Sequence, residues 1–205
     1  MIGRVRFFTA LGVLCAMAGL SAMQQALTRR EAQSMDQKLL AVVKNAETAK
    51  GSKTAAVRSW RTTFSEREVN AYLKFNAKEQ LPKGVVDPQI TIAGERRVMG
   101  RAIVDLDAVR TAKDRGWLDP AAYLSGSVEV RATGLLVTSS GTGTFQVESA
   151  TVGGLPIPKS LLQELVSYYS RSPDLPGGFD LDKPFELPAN IREVEIQRGA
   201  ATVIQ

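Results

Sequence analysis

The chain of 205 residues has no histidine and one cysteine, Cys15. Without histidine there can be no Ser-His-Asp or Cys-His catalysis and no haem ligation by histidine. A single thiol can form neither a thiolate zinc site nor an intramolecular disulfide. These two shortages exclude most enzyme classes that are recognised by motif, and we expect no catalytic residues, no metal ligands and no cofactor.

A strong excess of one charge is also missing. The chain has 26 basic and 21 acidic residues, a net charge of +5, and both signs are scattered along it. Without residues 1–23 the chain loses Arg4 and Arg6 and no acid, which leaves 24 basic against 21 acidic residues, or +3. Proteins that bind nucleic acid concentrate basic residues on one face. We therefore expect no nucleic-acid partner, whereas weak attraction to an anionic membrane surface is compatible with this charge.

The one long uncharged apolar run covers residues 7–22 (FFTALGVLCAMAGLSA) and follows Arg4 and Arg6. A basic start before an apolar stretch is typical of a secretory signal. We interpret residues 1–23 as a signal peptide or a membrane anchor, since the large Leu20 is unfavourable at a cleavage site. The run is short for a bilayer, which needs about 20 residues. The prediction is an exported protein, periplasmic or anchored to the inner membrane and facing the periplasm.

Residues 24–62 are rich in Ala, Lys, Arg, Glu and Gln. A few apolar residues recur partly at helical spacing, among them Met35, Leu39 and Val43. This pattern predicts a helical stalk, and a disordered linker is the alternative. In both cases we expect a tether outside the folded core.

The folded domain is expected over residues 63–205. Ser65 and Glu68 have the spacing of a helix capping box, with Phe64 placed to contact Val69, and the helix should end before Pro82. Alternating apolar residues predict strands around Ile90 and Ile92 and over residues 98–107, 126–137, 142–149, 191–197 and 200–204. Because the connections are short hairpins, the sequence predicts an α+β fold with an antiparallel sheet of about six strands and two helices.

Gly134 interrupts one of these strands. We expect a β-bulge there that turns Leu135 and Val137 toward the inside of the sheet. The carboxylates of Asp105 and Asp107 share a face of a predicted strand, but no further ligands stand at a recognisable spacing, so a solvent-facing position is favoured over a metal or acid-base site.

The chain is organised around the helix predicted over residues 160–170. Its apolar residues form two neighbouring seams, Leu161, Leu165 and Tyr168 in one and Leu162, Val166 and Tyr169 in the other. Such a wide apolar stripe has to lie on an apolar sheet face or an apolar ligand. We expect one sheet face to be too narrow to cover both seams.

Three segments carry a family resemblance: residues 63–73 (TFSEREVNAYL), residues 154–158 (GLPIP) at the start of the central helix, and residues 185–192 (FELPANIR) before the last hairpin. Their order resembles small bacterial envelope proteins of uncharacterised function, related to the tubular lipid-binding (TULIP-like) proteins. The resemblance covers residues 63–205. It implies a curved antiparallel sheet wrapped around an amphipathic helix, with an apolar groove and no catalytic residues.

The predicted function is non-catalytic binding of a lipid or another amphiphile in a groove between sheet and helix. The expected groove residues are Leu161, Leu165, Tyr168, Tyr169, Val104, Leu106, Val137, Phe145 and Val147. Trp117 and Leu118, in a predicted loop, are the expected membrane contacts. The alternative is a scaffold with a solid core that joins an envelope protein partner. An enzyme that uses Asp105 or Asp107 comes third.

Overall fold

The computed structural model describes residues 26–51, 59–105, 126–171 and 175–205. These ranges contain three α-helices, α1 Arg29–Gly51, α2 Glu66–Phe75 and α3 Lys159–Tyr169, and a 3-10 helix Lys78–Gln80. The strands in the same ranges are β1 Arg61–Ser65, β2 Val85–Gly94, β3 Arg97–Asp105, β4 Ser127–Ser139, β5 Thr142–Val152, β6 Leu155–Pro156, β7 Phe185–Glu186, β8 Glu193–Gln197 and β9 Ala200–Ile204.

All described strand pairs are antiparallel, and the predicted α+β fold is confirmed. A six-stranded sheet has the order β2-β3-β4-β5-β6, with β7 paired to the start of β5. The last hairpin, β8-β9, does not belong to this sheet. It pairs with β1 in a separate three-stranded sheet of order β1-β9-β8, and β1 was not predicted from the sequence.

Helix α1 requires a correction, because it is part of the folded core and not a tether. Its buried residues Ala32, Val42 and Ala46 are at most 6% exposed. Val42 packs with Phe64 of β1 and Val203 of β9 in a cluster that we call the first core. The apolar residues of α1 are too few for a free-standing helix but are enough to cover one face of a three-stranded sheet. No helix in the described ranges is both long and apolar enough to cross a membrane.

A buried carboxylate joins α1 to α2. The predicted capping box is present: the Glu68 backbone N–H donates to Ser65 Oγ, and the Ser65 backbone N–H donates to Glu68 Oε2 at 2.8 Å. Glu68 also accepts from Lys38 Nζ at 2.8 Å and from Ser34 Oγ at 2.5 Å, both on α1. Burial raises the pKa of Glu68, but these hydrogen bonds outweigh it and lower the pKa to about 2. The carboxylate therefore stays ionised and holds the two helices together.

Side chains of α2 protect the free edge of β2. Asn70 accepts from the Ile90 N–H and donates to the Ile90 carbonyl, both at 2.7 Å. The Ile92 N–H donates to Glu66 at 2.7 Å, and the N–H of Gly199, in the β8-β9 turn, donates to the Ile92 carbonyl at 2.8 Å. An edge strand that is covered in this way cannot pair with another chain.

The register divides the six-stranded sheet into an apolar face and a charged face. Directly paired residues in an antiparallel sheet point to the same side. The side that we call the inner face carries Ile90, Ile92, Val98, Gly100, Ala102, Val104, Val128, Val130, Ala132, Gly134, Leu136, Phe145, Val147, Ala150 and Val152. The opposite, outer face carries ion pairs of Arg97 with Glu148 and of Glu129 with Arg101 and Arg131.

The expected bulge lies at Gly134, but its extra residue is on the other strand. Thr133 pairs with Ser149 and Gly134 with Val147, so β5 contains one residue more than β4 at this point. The parity therefore changes in β5, and Val137 pairs with Thr144 on the outer face. The prediction that Leu135 and Val137 point to the inner face is wrong.

Candidate functional site: an apolar groove beside the third helix

Directly under α3, the inner face is filled by the protein's own side chains. Leu162, 4% exposed, packs with Ala150 of β5 and with Leu181. This cluster, which we call the second core, also contacts Ala132, Phe145, Val147, Ile157, Val166 and Phe179. The Phe145 ring lies over Gly134, where an added Cβ would be only 2.7 Å from it. Two of the predicted groove residues, Phe145 and Val147, therefore belong to a packed cluster.

Hydrogen bonds to a neighbouring segment fix the rotation of α3. Gln163 donates to the Phe179 carbonyl at 3.0 Å and accepts from the Leu181 N–H at 2.7 Å. Ser167 donates to the same Phe179 carbonyl at 3.1 Å, and Ser170 accepts from the Phe179 N–H at 2.5 Å. The polar flank of the helix is thus attached to residues 179–181, which lead into β7 at the outer edge of β5.

The opposite flank of α3 carries Leu161, Leu165 and Tyr168. At 3.6 residues per turn, these three positions lie roughly half a turn from Gln163, Ser167 and Ser170. Because the polar flank points to the outer edge of β5, this flank points toward β4 and β3 across the inner face. Leu161 is 41% exposed, and Leu165 and Tyr168 are half-buried. Leu162 and Val166 of the other seam pack in the second core, whereas Leu161, Leu165 and Tyr168 are not part of that cluster.

The floor beside this flank consists of small and branched apolar residues. Gly100, Ala102 and Val104 of β3 and Val128 and Val130 of β4 share the inner face, and each is half-buried. A Cβ added at Gly100 would meet a single atom within 4 Å, the Ile90 Cδ1 at 3.8 Å. We call the space between this flank of α3 and these floor residues the groove, and we take it as the candidate site.

The nine predicted groove residues thus have different positions. Leu161, Leu165 and Tyr168 lie on the flank of α3 that faces away from Gln163, and Val104 lies on the inner face of β3, whereas Phe145 and Val147 pack against the second core and Val137 is on the outer face. Leu106, Trp117, Leu118 and the side chain of Tyr169 lie outside what the structure describes. The floor residues Gly100, Ala102, Val128 and Val130 were missed, although the alternation of β3 and β4 indicates their common face.

The ion pairs of the six-stranded sheet are on its outer face, while beside the flank of α3 the Arg171 guanidinium lies 5.8 Å from the centre of the Tyr168 ring. Hydrogen bonds from Arg131 and Arg101 lower the pKa of Glu129 to about 2, and a bidentate contact with Arg97 lowers the pKa of Glu148. A general acid at neutral pH needs an upward shift of its pKa. These carboxylates are fixed as anions in ion pairs on a solvated face, and the groove itself is lined by apolar groups.

Two aspartates near α3 are similarly engaged. Asp180 forms an ion pair with Lys183 and accepts from the Asp182 N–H, and Asp182 forms an ion pair with Lys159. Within the described ranges, no group of three or more metal-ligating side chains comes together. Asp105 lies at the end of β3, while Asp107 is outside the described ranges.

The chain was also compared with known proteins. No protein-family model, no curated protein and no solved structure matches it. The geometry of the groove is therefore the basis on which a function can be argued.

Proposed function

We propose that this protein binds a lipid or another amphiphile without catalysis, with the apolar chain of the ligand in the groove beside α3. The observation that carries the proposal is the open flank of α3, where Leu161 is 41% exposed while the next residue, Leu162, is 4% exposed. An apolar helix flank above an apolar sheet face is suited to a hydrocarbon chain, because both surfaces gain from removal of water.

The dimensions and energies are adequate for such a ligand. From Gly100 to Val104 the floor follows β3 for about 13 Å, at a rise of roughly 3.3 Å per residue. Burial of a methylene group contributes about 0.8 kcal/mol, so eight methylenes in the groove would contribute about 6 kcal/mol before the loss of chain freedom. The polar headgroup would remain in solvent at the end of the groove.

The proposal includes a location outside the inner membrane, which rests on the secretory-type residues 1–23. A ligand that is sparingly soluble in water would have to be taken from, or given to, a membrane surface. Fractionation of cells that express the full chain, followed by protease treatment of intact spheroplasts, tests this part separately. A product protected from protease in the cytoplasmic fraction would contradict it.

The binding test compares two variants of adjacent residues on opposite faces of β3. Gly100→Phe would place a ring in the groove, since among the described residues an added Cβ at Gly100 would meet only Ile90 within 4 Å. Met99→Phe, on the outer face, is the matched control. Protein purified without detergent is extracted with organic solvent and the extract is analysed by mass spectrometry.

We expect a co-purified lipid with the wild-type protein and with Met99→Phe, and at least a tenfold loss with Gly100→Phe. Circular dichroism and thermal melting verify that both variants are folded. Wild-type protein that is free of lipid, and that takes up no fluorescent fatty acid from vesicles, would refute the proposal.

A second candidate is a scaffold that binds an envelope protein partner. It is favoured by the outer side of α1, where Leu40 is 69% and Val43 is 49% exposed. Exposed apolar side chains that are neighbours on a helix are typical of contact surfaces. Crosslinking in cells should then capture a stoichiometric partner that is lost in a Leu40→Ser, Val43→Ser double variant, while lipid recovery is unchanged.

A further inference from the structure

The outer edge of β8 presents backbone groups toward β4. The β8-β9 hairpin turns at two residues, Arg198 and Gly199, so Gln197 and Ala200 form its closing hydrogen-bonded pair. Hydrogen bonding to β9 then alternates along β8, and the N–H and C=O groups of Val194 and Ile196 point away from β9. Thr138 of β4 binds the groups of Val194, because its Oγ accepts from the N–H at 2.8 Å and donates to the carbonyl at 3.2 Å.

A pocket of about 380 Å³ lies next to this contact. Its walls are two continuous stretches of strand, residues 136–138 of β4 and residues 193–197 of β8, and Arg96 completes it. Since consecutive residues of a strand alternate between its faces, a wall made of consecutive residues is a strand edge. The pocket is therefore bordered by backbone as well as by the side chains of Leu136 and Val137.

The turn between β2 and β3 holds Arg96 at the pocket in a strained conformation. Glu95 and Arg96 both have positive φ, 52° and 64°, although neither is glycine. The Arg96 carbonyl accepts from the Leu136 N–H at 2.8 Å, which fixes this turn against β4. A two-residue type I′ hairpin turn, here closed by the pair Gly94 and Arg97, requires this left-handed conformation of both central residues.

We propose that this pocket binds a short extended peptide segment of a partner protein. The N–H and C=O of Ile196 would pair with the peptide backbone as in strand addition, and the apolar side chains of Leu136 and Val137, on opposite faces of β4, would contact peptide side chains on the two sides of that backbone. The volume is at the lower end for ligand pockets and suits two or three residues. Arg96, Glu193 and Glu195 line the pocket, and Glu195 already forms an ion pair with Arg61, so the remaining charges are one of each sign and we take the segment as uncharged. This inference does not depend on lipid binding.

The test uses isotope-labelled full-length protein and the neutral peptide acetyl-Thr-Val-Thr-amide at millimolar concentration. Amide chemical shifts of residues 136–138 and 193–197 are followed during the titration. Two variants of one residue separate backbone from side-chain effects. Ile196→Pro removes the N–H that faces the pocket and keeps the N–H groups that bind β9, whereas Ile196→Ala keeps all N–H groups and removes the side chain.

We expect saturable shifts at both walls in the wild-type protein and in Ile196→Ala, and none in Ile196→Pro. A peptide methylated at the valine nitrogen should bind at least tenfold more weakly to the wild-type protein, and this arm decides the question if Ile196→Pro does not fold. Absence of shifts, or equal binding of the methylated peptide, would overturn the proposal. Equal binding by the folded proline variant would do the same.

Discussion

The two apolar clusters of this protein are closed in different ways. The first core is sealed by polar side chains that bind the backbone of its neighbours: Gln205 donates to the carbonyls of Val42 and Ala189 at 2.8 and 2.7 Å, and Asn190 donates to that of Ala46. The second core has three buried residues, Ala150, Leu162 and Leu181, whereas the floor residues of β3 and β4 on the same face are half-buried.

The difference indicates a division of roles. In the first core, α1, α2 and the three-stranded sheet satisfy one another's polar groups, so this part can stabilise the fold without a ligand. In the second, α3 packs on β5, and within the described part of the chain the floor residues of β3 and β4 remain half-buried. Apolar surface that remains accessible in a folded protein is available for binding.

The largest expected effect is a cavity in the first core. Phe64 is 5% exposed and contacts residues of α1 and β9. Phe64→Ala should lower the free energy of unfolding by about 3–5 kcal/mol, since it removes a buried ring between three elements. Urea titration followed by circular dichroism measures the loss. A loss below that of Leu162→Ala would contradict the stabilising role of the first core.

The second-largest expected effect is a dependence of the fold's stability on pH. It arises from Glu68, which joins α1 to α2 beside the first core. The pKa of Glu68 falls from an ordinary 4.5 to about 2 on folding. A group with a depressed folded-state pKa stabilises the fold above its unfolded pKa, so this contribution is complete above about pH 5 and is lost as the pH falls toward 2. It amounts to at most about 3 kcal/mol.

Unfolding by urea at several pH values measures this contribution. Glu68→Gln removes the titrating group and should flatten the stability profile between pH 5 and pH 2. Glu129→Gln is the matched control, since the Glu129 pKa is also about 2 but its ion pairs lie on the solvated face. Equal flattening by both variants would show that the carboxylate between α1 and α2 adds no more pH-dependent stability than an ion pair on the solvated face.

Much of the fold could be predicted because its signals are local. The capping box at Ser65 and Glu68 is present as predicted, and the hairpins β4-β5 and β8-β9 turn between the strands predicted over residues 126–137 and 142–149 and over residues 191–197 and 200–204. Strand β1 could not be found in this way. Arg61–Ser65 has one buried residue, and its partner β9 is about 140 residues away, so only long-range pairing makes it a strand.

The apolar composition of α3 could be predicted from the sequence, but the rotation of this helix on the sheet could not. Both seams of α3 are apolar, so periodicity alone cannot decide which of them faces the sheet. The decision comes from Gln163 and Ser167, whose bonds to residues 179–181 rotate the helix. The bulge was assigned to Gly134 of β4, but the extra residue is in β5, and this reversal moved Val137 to the outer face.

A cavity in the second core should lower the free energy of unfolding by less than a cavity in the first core. Leu162→Ala is expected to lower the free energy of unfolding by about 2–3 kcal/mol, near the lower end for buried leucine, because the cluster is open on one side and can relax. Urea titration beside Phe64→Ala gives the comparison. Lipid recovery should also fall, since α3 would no longer be held in place. Unchanged stability would mean that α3 does not depend on this contact.

The smallest expected effect on stability is at Leu161, the residue next to Leu162. The contrast between these two leucines is the sharpest test of the difference between the packed and the open side of α3. Leu161 is 41% exposed on the open flank of α3, so Leu161→Ala should change the free energy of unfolding by less than about 0.5 kcal/mol. If the flank is the wall of a ligand groove, this variant should nevertheless lose lipid, because it removes about three methylene equivalents of contact area, or roughly 2 kcal/mol of binding. Binding and stability would then separate between two adjacent leucines. Lipid recovery equal to wild type, with stability also unchanged, would show that the open flank is ordinary solvated surface.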